Sequence, residues 1–140
     1  MKPTAKFLWI FIALAAWLSG CAVIQPSAPP VSDSAAVLAL VEVARTDVDA
    51  GRFPNAAAGL ERALRLEPKN PRLWQELARL RVKEGDYAQA ESLAARSNSW
   101  AGDDNELRAE NWRLIAEARA ARGDEAGAKT ALEHAAKAKR

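Results

Sequence analysis

Two groups of side chains in this sequence have the types and spacing to do chemistry. The first is Cys21, the chain's one cysteine, which directly follows Leu18-Ser19-Gly20. A thiol can act as a nucleophile or an acceptor, and with a single cysteine no disulfide within the chain is possible. The second is Arg72, Arg79 and Lys83, which stand at i, i+7 and i+11 with Gln75 between them. That spacing puts all of them on one face of a helix, where guanidinium and ammonium groups can meet carboxylates.

A catalytic constellation needs a nucleophile, an acid or base, or a metal. The only histidine, His134, falls near the end of the last helical stretch, where it complements the helix dipole. Asp103-Asp104 precedes Asn105 and reads as the cap of a following helix rather than as a carboxylate dyad. Metal-ligand spacings and glycine-rich phosphate loops are both missing. The expectation is therefore a binding protein with no cofactor, not an enzyme.

The elements that position these groups begin with an N-terminal segment of two parts. Lys2 and Lys6 precede an unbroken apolar run from Phe7 to Leu18, the layout of an export signal. A bilayer needs about 20 apolar residues, so this run is too short to span one stably. Losing residues 1–20 would remove both lysines and turn 20 basic against 18 acidic residues into 18 of each. A neutral total of interspersed sign offers no electrostatic ground for nucleic-acid binding. Residues 21–34 contain three prolines and no helical period, so they read as a linker. About 14 residues at roughly 3.3 Å each would reach no more than about 45 Å.

From residue 35 to 140 the chain is rich in Ala, Leu, Arg and Glu, good helix formers. It is also self-similar. Gly51-Arg52-Phe53 returns as Gly85-Asp86-Tyr87 after 34 positions, and as Gly123-Asp124-Glu125 after 38 more.

Leu18-Ser19-Gly20-Cys21 resembles the lipobox of the bacterial lipoprotein family. The resemblance implies cleavage after Gly20, diacylglycerol on the sulfur of Cys21 and acylation of the new amino group by a fatty acid such as palmitate. It also implies an anchored rather than a spanning protein. Ala22, not Asp, follows the cysteine, which by the family's sorting pattern implies the outer membrane, with the body facing the periplasm.

The repeats resemble the tetratricopeptide repeat family, whose unit is 34 residues folded as helix, turn, helix. The resemblance implies an all-α solenoid of three stacked units over about residues 37–70, 71–104 and 109–140, with Asn105 to Arg108 as an insertion. Expected core anchors are Leu40, Val43 and Ala44, then Ala56, Leu60 and Ala63, in the first unit. The second supplies Trp74, Leu77, Ala78, Ala90 and Ala94, and the third Trp112, Ile115, Ala116, Ala128, Leu132 and Ala135. Leu66 closes the first unit, Ser97 and Asn98 weaken the end of the second, and Trp100 is expected to plug that joint.

Members of that family bind peptides or helices in the concave groove lined by the first helix of each unit. Carried onto this chain, the groove includes Arg45, Arg72, Gln75, Arg79, Lys83 and Arg113, flanked by Leu38, Val41, Val48, Asp49, Val82, Glu110, Glu117 and Ala120. The cations would make a basic patch suited to a partner bearing acidic side chains or a C-terminal carboxylate.

The blocks Glu61-Arg62-Ala63-Leu64, Asn70-Pro71-Arg72-Leu73-Trp74 and Asn111-Trp112-Arg113-Leu114-Ile115-Ala116, followed by Arg122-Gly123-Asp124, resemble the pseudomonad lipoproteins that activate a class A penicillin-binding protein, a bifunctional peptidoglycan synthase. That resemblance implies the synthase as protein partner. The alternative is a general periplasmic scaffold for envelope or pilus assembly.

Overall fold

The computed structural model describes residues 29–139. Residues 1–20, expected to be an export signal, together with Cys21 and most of the expected linker, lie outside these residues. Six helices follow one another: α1 (Ala35–Asp49), α2 (Phe53–Leu66), α3 (Pro71–Glu84), α4 (Tyr87–Trp100), α5 (Asn105–Ala121) and α6 (Glu125–Ala138). They pair as α1/α2, α3/α4 and α5/α6, and the pairs stack through α2 on α3, α4 on α5 and α3 on α5. This is the three-unit all-α solenoid expected from the repeats, with no strand among the described residues.

Local sequence sets each boundary. Ser34, Asn70, Asp86, Asp104 and Asp124 each accept a backbone N–H from the first turn of the helix they precede, satisfying donors that have no partner inside the helix. Pro71 begins α3, where a missing N–H costs nothing. At the other end of α3, Gly85 takes a left-handed φ of 78° while Asp86 N–H returns to Arg81 C=O at 2.9 Å. This turn reverses the chain into α4. Gly51 and Gly123 have φ of 72° and 81° at the equivalent turns.

Small residues let the paired helices close. A Cβ on Gly59 of α2 would stand 3.4 Å from the Ala44 Cβ of α1. Around that contact Val37, Val41, Leu60, Leu73, Leu77 and Leu80 form the first core cluster. Each large aliphatic side chain so buried stabilises by about 2 kcal/mol relative to an exposed one. A second cluster joins Ala78 and Ala94 to Ile115, Ala116, Ala128 and Ala131.

Several expected core positions differ. Val43 is 61% exposed, and Val37 and Val41 fill the core in its place. Val43 is the counterpart of Leu77, which packs against the preceding unit, and no unit precedes the first among the described residues. Leu132 is 54% exposed for the mirror-image reason: its counterpart Leu60 is covered by the next unit. Leu66 is also exposed. Trp74 and Trp112 occupy equivalent joints but are only partly buried. Trp74 donates its indole N–H to Pro68 C=O at 2.9 Å. Trp112 stacks on His134, with ring centroids 4.4 Å apart.

Trp100 does not plug the second joint. It is 41% exposed with the Lys69 ammonium over its ring. Ser97, expected to weaken that joint, instead fills it, fully buried and donating to Pro71 C=O at 2.7 Å. Asn105 to Arg108, set aside in the sequence as an insertion, are the first turn of α5.

The linker meets the body earlier than expected. Ser32 Oγ donates to Glu67 Oε1 at 2.6 Å, and Asn70 Nδ2 donates to Val31 C=O at 2.8 Å. These bonds hold Val31 and Ser32 on the α2–α3 turn. Ten residue steps from Cys21 to Val31 then allow a reach of only about 33 Å.

Candidate functional groove

α1, α3 and α5 run side by side and form one wall of the solenoid. Between α1 and α3 lies a cavity of about 280 Å³, lined by Ala44, Val48, Leu60 and Leu80 beneath and by Arg45, Asp49, Glu76, Arg79 and Lys83 at its rim. An apolar floor with a few charged groups above it is the usual composition of a site that takes a partner side chain.

The rim is a ladder of ion pairs between units. Arg45 of α1 meets Glu76 of α3 at 2.6 Å and also Glu42 of its own helix at 3.0 Å. Its guanidinium pKa is raised above the ordinary value, chiefly by the hydrogen bond from Arg45 to Glu76, with burial opposing. Arg79 of α3 meets Glu110 of α5 at 2.8 Å. Lys83 has no carboxylate within salt-bridge reach among the described residues. Arg45 and Arg79 are each nearly half exposed, so each pair contributes at most about 1 kcal/mol. A carboxylate on a bound partner, drier than either pair, could exchange with Glu76 or Glu110 at small cost.

The expected site residues thus divide. Arg45, Arg79 and Lys83 gather around one cavity. Gln75 lies beneath the wall, only 5% exposed, as part of the seam between α3 and α5. Its Nε2 donates to Glu110 and to Asn111 Oδ1, both at 3.1 Å, and its Oε1 accepts from Arg79. Gln75 therefore aims Arg79 and Glu110 and is covered by the fold. Arg72 points away from the cavity toward Asp104, which it meets at 2.6 Å. Arg113 lines a different hollow with Glu117, Lys129 and Leu132. Val41, placed by the sequence on the groove, is buried in the core.

The carboxylate half of the ladder was missed in the sequence, except for Glu110 as a bare position. A signal was there. Arg45 precedes Glu76 by 31 residues, and Arg79 precedes Glu110 by the same 31. A charge pair repeating near the unit length marks contacts between successive first helices.

Among the described residues no cluster of His, Cys, Asp or Glu could hold a metal ion. His134 is engaged with Trp112 instead.

A model of the tetratricopeptide repeat family matches residues 47–110. Among solved structures, the globular C-terminal domain of P. aeruginosa LpoP is 41% identical to this chain, with a TM-score of 0.73, over 75% of this chain and 99% of that one. No curated protein matches the chain.

Proposed function

Since this chain belongs to the tetratricopeptide repeat family and is similar to the LpoP globular domain, we propose that it is a lipoprotein of the bacterial envelope that binds a protein partner in the groove between α1 and α3. The observation that carries this reading is the 280 Å³ cavity with its aliphatic floor, its exchangeable ion pairs and Lys83, the rim cation with no carboxylate partner among the described residues. The partner supplies an apolar side chain for the floor and a carboxylate for Lys83, which lies within the same rim as Arg45 and Arg79. The domain acts by docking, not by chemistry of its own.

The finer reading places diacylglycerol on Cys21 and the body at the outer membrane, facing the periplasm. Its partner is then a class A penicillin-binding protein, whose polymerisation it raises. Support comes from the resemblance of the quoted sequence blocks to the pseudomonad activators and from the 41% identity to the LpoP domain over almost all of that domain's length. Photocrosslinking from Val48 or Lys83 in intact cells tests it. Recovery of the synthase in a crosslink from the groove, and none from Thr130 on α6, is the expected result.

One observation favours a second reading. With Val31 and Ser32 held on the α2–α3 turn, the tether reaches only about 33 Å from Cys21. A scaffold for a partner close to the same membrane is compatible with that length without any extension by the partner. Crosslinks to outer-membrane or pilus components alone would select it.

A further inference from the structure

The turn between α2 and α3 carries a second surface, at the opposite side of the unit junction from the groove. Two tryptophans flank it, each with a cation over its ring: Lys69 Nζ lies 5.4 Å from the Trp100 centroid, and the Arg96 guanidinium 4.6 Å from that of Trp74. Leu66 is 58% exposed and Trp100 41% exposed beside Pro68. Both are large apolar side chains left in water by a fold that buries most others. Lys69 and Arg96 have no carboxylate within salt-bridge reach among the described residues, whereas seven other arginines of the body do.

The same turn receives the N-terminal chain. Glu67 and Asn70, which flank Pro68 and Lys69, are the residues that hold Ser32 and Val31. Only ten residues separate Leu18, the end of the apolar run, from Pro29. Whatever their conformation, they cannot carry the body more than roughly 35 Å from that run. The chain that leads to Phe7–Leu18 and Cys21 therefore leaves the body at the corner that displays Trp100, Lys69 and Leu66, which keeps that corner within roughly 35 Å of the run.

We infer that this corner is a lipid-contact surface that rests on anionic phospholipid headgroups and orients the groove away from the membrane. Indole rings settle at the boundary between headgroups and acyl chains. Lys and Arg stems cover the apolar side while their charges reach lipid phosphates, and Leu66 adds apolar area beneath. The two cation-bearing rings present the same mixed chemistry to the lipid that they hold in water. This inference uses the membrane attachment proposed above and is independent of which protein occupies the groove.

Hydrogen exchange on the full chain bound to vesicles tests it, comparing phosphatidylcholine alone with phosphatidylcholine containing phosphatidylglycerol. In the anionic vesicles the amides of residues 66–70 and 98–101 should exchange roughly tenfold more slowly, from two cations near a charged leaflet. The turns at Gly51, Gly85 and Gly123, on the far edge, should exchange alike in both vesicles and serve as the internal control. Lys69→Glu with Arg96→Glu should abolish the protection while the chain still floats with the vesicles, and Trp100→Ala should weaken it. Equal exchange at the corner in both vesicles, or failure of the chain to float with either, would overturn the inference. So would protection that appears only when a protein is added without lipid, which would assign the corner to a protein partner instead.

Discussion

Gln75 of α3 and Asn111 of α5 join side chains at 3.1 Å inside the seam between the second and third units. Asn111 spends both amide hydrogens on Ser97 Oγ at 2.7 Å and Asn98 Oδ1 at 3.0 Å, and Ser97 passes its own hydrogen to Pro71 C=O. Gln75 in turn fixes Arg79 and Glu110 at the groove rim. A buried polar relay thus connects the packing of two repeats to the geometry of the groove wall. Low dielectric strengthens such a relay when every member is satisfied and makes it costly when one is not.

Asn111→Ala should therefore destabilise by about 2–3 kcal/mol, since Gln75 and Ser97 are left without their shared partner. Urea unfolding followed by circular dichroism measures it. Replacing Gln75, Ser97 and Asn111 together with apolar residues of similar size should cost much less, because the three side chains that would face one another unpaired are removed as a set, with Asn98 Oδ1 and Pro71 C=O each losing a donor. Equal losses for the single and triple variants would show that the relay is not what holds the seam.

Gly85→Ala isolates a conformational cost. A Cβ there meets nothing within 4 Å, yet φ is 78°. The change should lower stability by about 1–2 kcal/mol with no change in packing. Gly127→Ala is the contrasting case, because its Cβ would fall on the carboxylate of Asp124 that caps α6. There the gain in helix propensity, about 1 kcal/mol, should be offset by a cap loss of similar size. Thermal melts of the two variants should separate clearly; identical shifts would contradict this account.

The helices and their pairing were legible because the repeat is written in small residues and turn glycines: Ala44, Ala78 and Ala116 recur on the first helices, as Gly51, Gly85 and Gly123 do at the turns. Positions that depend on a neighbouring unit were not. Val43 and Leu132 carry the repeat's apolar pattern, but among the described residues no further helix covers them, and both are exposed. Arg72 shares a helical face with Arg79 and Lys83 by spacing, yet Asp104, from the turn after α4, draws it to the other end of the unit. Ser97 and Asn98 looked like defects because their partner, Asn111, lies in the next unit. A periodic pattern shows which residues share a face, but the partner that each one finds depends on stacking between units.

Cys21→Ser should abolish incorporation of labelled palmitate and leave an uncleaved precursor, since the sulfur is the acceptor that the lipobox resemblance requires. Gel mobility and label on the purified protein decide it. Label retained on the serine variant would remove the lipoprotein assignment.

Arg45→Ala should change the melting temperature little, because a half-exposed pair contributes at most about 1 kcal/mol. Its effect should appear in partner affinity instead. A large fall in stability without a change in binding would make the Arg45–Glu76 pair a structural strut rather than part of the groove.

The most direct measurement is the glycan polymerisation rate of the purified class A synthase with residues 29–140 added, unlipidated, as wild type and as the Arg79→Glu, Lys83→Glu double variant. The account predicts that the wild-type domain raises the rate and that the double variant, with an unchanged helical signal and a melting temperature lowered only by the loss of the half-exposed Arg79–Glu110 pair, does not. A wild-type domain that leaves the rate unchanged would contradict the activator reading, and a double variant as active as wild type would contradict the groove between α1 and α3 as the site of docking.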